Sequence, residues 1–210
     1  MIRYDTIMIR LNDKKGPVAM NGFERRTERK KQHILTCAHT MFKVQGVKDV
    51  NIMDLAKEAD VSHVTIYHYF GNKKGLIDAV LDDTLDQKSL EANDIMLQEG
   101  AFESRLEALV RFEINRYEGY HPDFSKRLIE REKALLKRHP ETIFEGLKSL
   151  LYQGRDEGRI QSDLSDDTLV MLVHMFRFLK SNDYLQNPQV VKEIFDLFRR
   201  GLGGRIVESK

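Results

Sequence analysis

The chain has 210 residues, 41% hydrophobic and 32% charged, with a formal net charge of +1 and a single cysteine, Cys37. This length can bury a real core in one or two domains, and the composition excludes a disordered polar tract. No apolar run reaches the roughly 18–20 residues of a membrane span, and one cysteine makes no disulfide framework or thiolate metal cluster, so a cytoplasmic protein is expected.

Charge is unevenly placed. Residues 23–75 carry ten basic against six acidic side chains, and residues 76–210 carry 20 against 25. A basic front on an acidic body suits a nucleic-acid binder, because only the docking face has to meet phosphates.

Residues 1–22 differ from the rest of the chain: Ile2, Ile7, Ile9 and Leu11 are interrupted by Arg3, Arg10 and Asp13, and Lys14-Lys15-Gly16-Pro17 breaks any helix. Charges inside a short apolar run exclude a secretory signal. A disordered extension, or residues ahead of a start at Met20, is expected here; an arm following a DNA groove is the alternative. From Thr27 a helical period takes over, with Ile34, Leu35, Ala38, Met41 and Phe42 on one face and Gly46 placed to end it. The entrance of this helix is basic, with Arg25, Arg26, Arg29, Lys30 and Lys31.

Asn51 is a natural cap for a short helix holding Ile52, Leu55 and Ala56, with Asp54 at its positive end. Asp60-Val61 makes a turn, and Ser62 caps a second short helix ending in Tyr67-His68-Tyr69-Phe70. A long helix, a short one, a brief turn and another short one form a three-helix helix-turn-helix layout, whose second short helix is the reader.

Phe42, Gly46, the Asn51-x-x-x-Leu55-Ala56 segment, Val61-Ser62, and Thr65-Ile66-Tyr67-His68-Tyr69-Phe70-x-x-Lys73-x-x-Leu76 resemble the DNA-binding domain of TetR-family regulators. The resemblance covers about residues 27–80. In this reading Val61, Ile66 and Phe70 are core. His63, Val64 and Tyr67 lie on the outer side, and the resemblance places base contacts at these three positions. His63-Val64 stands where many relatives have Lys-Gly, so the operator is expected to be this chain's own. Ser62, Thr65, Tyr69 and Lys73, with Arg26 and Arg29 on the first helix, are the expected phosphate contacts. Asn72 is the expected cap of the next helix. His63 and His68 are five apart and do not share a helical face, so no zinc pair is expected.

The body, residues 76–210, reads as helices throughout. One runs from about Lys73 toward Gln98. A second follows Gly100 with Leu106, Leu109, Val110, Phe112 and Ile114. A third starts at Pro122, and a fourth at Pro140 with Ile143, Phe144, Leu147, Leu150 and Leu151. Ser165-Asp166-Asp167 caps a helix through Leu179, and a last helix follows Asn187-Pro188. These two are apolar on more than one face, which fits either a thick monomer core or half of a dimer interface.

The resemblance implies the second, with Leu169, Leu172, Phe176, Leu179, Val191, Ile194, Phe195 and Phe198 between two copies. It also implies a small-molecule effector in the body. Phe112, Tyr117, Phe124, Met171, Met175 and Phe176 are candidates to line its pocket, or are plain core; Arg116, His121 and His174 are candidate polar contacts.

No Gly-rich phosphate loop, nucleophile elbow or His-Glu-x-x-His helix points to an enzyme. The expectation is therefore an all-α protein: residues 23–75 a helix-turn-helix domain, residues 76–210 a helical effector-binding and dimerisation domain. It would act as a homodimeric repressor on a palindromic DNA operator, released by a small molecule, with no metal or other cofactor and no membrane partner. The alternative keeps the DNA-binding domain and gives the body a protein partner, as a DNA-bound adaptor or constitutive regulator.

Overall fold

The computed structural model describes residues 21–138, 145–181 and 187–202. Among these residues there are nine helices and no strand, as the all-α reading requires. They are α1 (Gly22–Gln45), α2 (Ile52–Glu58), α3 (His63–Phe70), α4 (Lys73–Leu97), α5 (Phe102–Ile114), α6 (Pro122–Arg138), α7 (Glu145–Asp156), α8 (Asp166–Ser181) and α9 (Pro188–Leu202). Of the expected extension only Asn21 and Gly22 are described. The expected start at Pro140, with Ile143 and Phe144, also lies outside the described residues. No described helix is long and apolar enough to cross a membrane.

The chain divides into two compact units. The first runs to Gln87 and includes Tyr117–Arg131; the second holds Lys88–Arg116 and the chain from Glu132 onward.

In the first unit α1 begins at Gly22, ahead of the periodic stretch, because Asn21 and Glu24 form a capping box. The Asn21 side chain accepts from the Phe23 and Glu24 amides at 3.0 and 2.9 Å, and Glu24 accepts from the Asn21 amide at 2.9 Å. The buried face of α1 is Ile34, Leu35, Ala38 and Phe42. Gly46 ends the helix with φ +83°, and its amide donates to the Phe42 carbonyl at 3.0 Å. A Cβ at Gly46 would stand 2.5 Å from His121 Nδ1, so glycine is needed for space as well as for conformation.

That histidine belongs to the returning segment 117–131. Its amide donates to the Lys43 carbonyl at 2.8 Å, and Asp123 accepts from the Val47 amide at 3.1 Å. Phe124 is fully buried, with its ring 5.8 Å from Phe42 and 5.7 Å from His39. Arg131 holds Asp82 of α4 through two bonds of 2.7 and 2.8 Å. The unit carrying the helix-turn-helix is thus larger than residues 23–75. It takes in Leu76, Val80, Leu81 and Leu85 of α4 as well as Phe124 and Leu128, all buried. Short helices bury little area alone and need this extra apolar cover.

The second unit is built around Phe102, Leu106 and Leu109 of α5, Leu147, Leu150 and Leu151 of α7, Leu169, Val173 and Phe176 of α8, and Val191 and Phe195 of α9. Ser165 caps α8 by accepting from the Thr168 amide at 3.2 Å, and Asn187 caps α9 by accepting from the Gln189 amide at 2.9 Å. The start of α5 has no side-chain cap of its own; Glu157 supplies one from the end of α7, accepting from the Phe102 amide at 2.9 Å. That bond, with smaller help from Gln153, Arg105 and Arg159, holds the Glu157 carboxyl below the ordinary glutamate value. Arg105, buried beside it, donates to the Met96 carbonyl at 3.0 Å and lies 3.7 Å from Glu157.

Candidate nucleic-acid interface

The interface is built by two caps and one turn. Asn51 accepts from the Met53 amide at 2.7 Å and opens α2, with Asp54 in its first turn. At the other end the Asp60 amide donates to the Lys57 carbonyl at 3.2 Å and the Val61 amide to the Ala56 carbonyl at 3.0 Å. This is the paired bonding of a Schellman stop, and Asp60 takes its left-handed position at φ +49°. Asp60 is the only described non-glycine residue with positive φ. Ser62 then accepts from the Thr65 amide at 3.1 Å, and the two hydroxyls lie 2.9 Å apart. The chain reverses within a few residues and α3 starts in a set direction.

The faces of α3 are well separated. Ile66 is fully buried, and Val61 and Phe70 are half-buried against the unit. His63 and His68 are exposed, Val64 is 61% exposed and Tyr67 is 41% exposed. The His63 ring meets the Tyr67 ring edge-on at 6.3 Å. His63, Val64 and Tyr67 thus share an outward face, one helical turn deep, at the start of α3.

Thr65 and Tyr69 are half-buried at its flanks. The Tyr69 ring is braced by the Lys31 ammonium of α1, 5.7 Å from its centroid, and by the His68 ring at 5.5 Å. Arg26 and Arg29 are exposed on the opening turns of α1. Cys37, also on α1, lies 3.9 Å from the Glu58 carbonyl; burial, ahead of the Glu58 charge, pushes its thiol up and keeps it protonated.

Between α3 and α4 the chain bends at Gly71, with φ +76°, and Asn72 caps α4 by accepting from the Gly75 amide at 2.9 Å. A Cβ on Gly75 would lie 2.1 Å from the Phe70 carbonyl oxygen, so the two helices meet at van der Waals limit. Lys73, for which a phosphate contact is expected, has partners within the chain. Its ammonium turns inward and donates to the Val50 carbonyl at 2.6 Å, with the Lys48 carbonyl at 3.4 Å. Its neighbour Lys74 is exposed. The phosphate role follows from the resemblance and from its place in the first turn of α4, and neither shows the carbonyls that another loop brings up to it.

The residues expected to line an effector pocket are divided between the two units. Phe112 and Arg116 line an open depression of about 320 Å³ in the second unit, with Lys88, Ala108, Arg111 and Asn115. Arg116 is buried, bonded to Glu113 at 2.8 Å and Glu132 at 3.1 Å, with its guanidinium 5.3 Å from the Phe112 ring centroid. Tyr117 and Phe124 belong to the first unit, where Phe124 is core. Met171 is 67% exposed and Met175 and His174 are exposed on α8. His121 backs onto Gly46, and Phe176 is core of the second unit.

The residues expected between two copies take the following places in the single chain. Leu169, Phe176, Val191 and Phe195 are buried within the chain's own second unit, and Leu172 and Ile194 pack against that core. Leu179 is half-buried, and the Phe198 side chain lies outside the described ones. The exposed apolar face of α8 is a different stripe, Met171, Met175 and Phe178, and Leu197 is exposed on α9. A helix apolar on two sides gives no sign in its sequence of which side turns inward.

Comparison with known proteins agrees with this geometry. Residues 34–80, which span the end of the first helix, the whole α2–α3 pair and the start of α4, match the family described as bacterial regulatory proteins, tetR family. The transcriptional repressor KstR2 of Rhodococcus jostii (strain RHA1) is 26% identical over 168 residues, covering 77% of this chain and 77% of that protein. The transcriptional regulator HbdR of Aromatoleum sp. (strain CIB) is 36% identical over 59 residues, 28% of this chain and 26% of that protein. In fold, the chain is similar to the crystal structure of a TetR-family transcriptional regulator from Pectobacterium atrosepticum, with TM-score 0.61 and 18% identity over 86% of this chain and 97% of that one. The helix-turn-helix is thus similar to that of the bacterial regulatory proteins of the tetR family, and over most of its length the chain is similar in sequence to a transcriptional repressor and in fold to a TetR-family transcriptional regulator.

Proposed function

We propose that this regulator is a cytoplasmic homodimeric repressor that occupies a palindromic operator and leaves it when a small molecule binds the second unit. The observation that carries the DNA-reading part is the division of α3, with Ile66 buried and His63, Val64 and Tyr67 exposed together at its start. Side chains near the start of a recognition helix are those that reach base edges in the major groove. Val64 suits a thymine methyl, His63 a purine edge, and Tyr67 either a hydrogen bond or an apolar contact. Arg26, Arg29, Ser62, Thr65 and Tyr69 hold the backbone. Neither a metal nor another cofactor enters this reading.

One α3 meets too few bases for useful specificity, and two related by a two-fold axis read half-sites about 34–36 Å apart. The exposed stripe Met171, Met175 and Phe178 of α8, with Leu197 of α9, supports pairing between copies. The depression beside Phe112 and Arg116 is a candidate place for the effector. To lower DNA affinity tenfold, an effector has to favour the non-binding state by about 1.4 kcal/mol. The test is selection of genomic fragments by the purified protein at physiological salt, followed by sequencing. Enrichment of one palindrome is expected; a folded protein that enriches nothing overturns the reading. A monomer in sedimentation would favour the adaptor alternative, with the stripe on α8 covered by a different protein.

A further inference from the structure

The α2–α3 pair is joined to the rest of the chain at two ends. At the front it follows Val50 and the Asn51 cap; at the rear it passes through Gly71-Asn72 into α4. Lys73 stands at the rear, yet its ammonium donates to the Val50 carbonyl at the front, across a sequence separation of 23 residues. The Lys48 carbonyl, two residues earlier, lies at 3.4 Å. A charge-assisted bond of 2.6 Å is strong and directional, and it leaves an ammonium little freedom to turn toward solvent.

We propose that Lys73 is a positioning residue for DNA reading: its ammonium pins the entrance of the α2–α3 pair to the first turn of α4 and so sets the angle at which α3 is presented. The phosphate contact at this helix start falls to the exposed Lys74 and the backbone amides of the first turn. This rests on the DNA-binding reading above. The two possible roles of Lys73 have opposite signatures. A phosphate contact contributes equally to all sequences and to the salt dependence, about 0.9 in the log–log slope per contact and about 1.8 for a dimer. A pin contributes to base contacts, which need the helix angle, and releases no counterions.

The test uses the full chain and Lys73→Met, which keeps the stem and loses the ammonium, with Lys74→Ala alongside. Affinity is measured for the duplex enriched from genomic fragments and for a random-sequence duplex, between about 50 and about 200 mM salt, where circular dichroism shows each variant folded. Lys73→Met is expected to lower the ratio of specific to random affinity about tenfold with the slope unchanged. Lys74→Ala is expected to lower the slope and keep the ratio. A reduced slope with the ratio intact in Lys73→Met overturns the proposal, as does a loss of melting temperature with neither changed.

Should Lys73→Met not fold, the wild-type protein still decides through its nitrogen-15 ammonium signal. A slowly exchanging Lys73 signal is expected before any DNA is added, and one that emerges only with DNA overturns the pin. If no duplex is enriched, the regulator reading fails by itself, and this signal tests the pin separately.

Discussion

Ile66 and Tyr67 are neighbours on α3 with opposite surroundings, and their substitutions separate stability from reading. Ile66 is fully buried, so Ile66→Ala should cost about 2–5 kcal/mol of unfolding free energy, read from denaturant midpoints. Tyr67→Ala should leave that midpoint nearly unchanged. It should instead weaken binding to the selected operator by about 1–3 kcal/mol and relax base preference at one position, with random-sequence affinity retained. Asp60 offers a test of the turn. An aspartate at φ +49° is tolerated but strained, so Asp60→Gly should raise stability by about 0.5–1 kcal/mol. Asp60→Val should lower it, because a β-branched side chain fits the left-handed region worse. Equal denaturation curves for the three proteins would contradict the Schellman assignment.

Local signals were readable in the sequence wherever one residue does one job. Asn51, Ser62, Asn72 and Asn187 cap as their types require, and Gly46 stops α1. The capping box of Asn21 and Glu24 was equally available, since Asn-x-x-Glu ahead of a helix is its signature. Contacts between distant segments were not readable. Nothing in the helical period of α6 indicates that Phe124 returns to Phe42, and nothing near Lys73 names the Val50 carbonyl. The cap on α5 is another such contact, because Glu157 arrives from 55 residues away.

That cap predicts a pH dependence. Its carboxyl is held below the ordinary value when folded, so its stabilisation is complete above the unfolded glutamate value and is lost as pH falls through the folded one. Glu157→Gln should therefore melt below wild type near neutral pH, and the gap should close on acidification past the carboxylate range. A gap that stays constant would mean the charge on Glu157 plays no part.

For the whole molecule, the decisive surface is the apolar stripe on α8 and α9. Met175→Glu places a charge between Met171 and Phe178 on the exposed face of α8 without touching its buried side. It should leave the helical spectrum intact, shift the sedimentation coefficient toward a monomer, and weaken operator binding more than tenfold through loss of the second half-site. Unchanged sedimentation would move the pairing surface elsewhere.

The discontinuity of the first unit has a consequence for synthesis. Its residues are not consecutive, since Tyr117–Arg131 completes what the chain up to Gln87 begins. On the ribosome, α3 emerges long before Phe124 and Arg131 can cover Phe42 and hold Asp82. Domains generally fold as units in order of emergence, and here the last segment of the unit that carries α3 is made only after the whole of α5. A nascent or prematurely terminated chain ending near Gln87 lacks this cover.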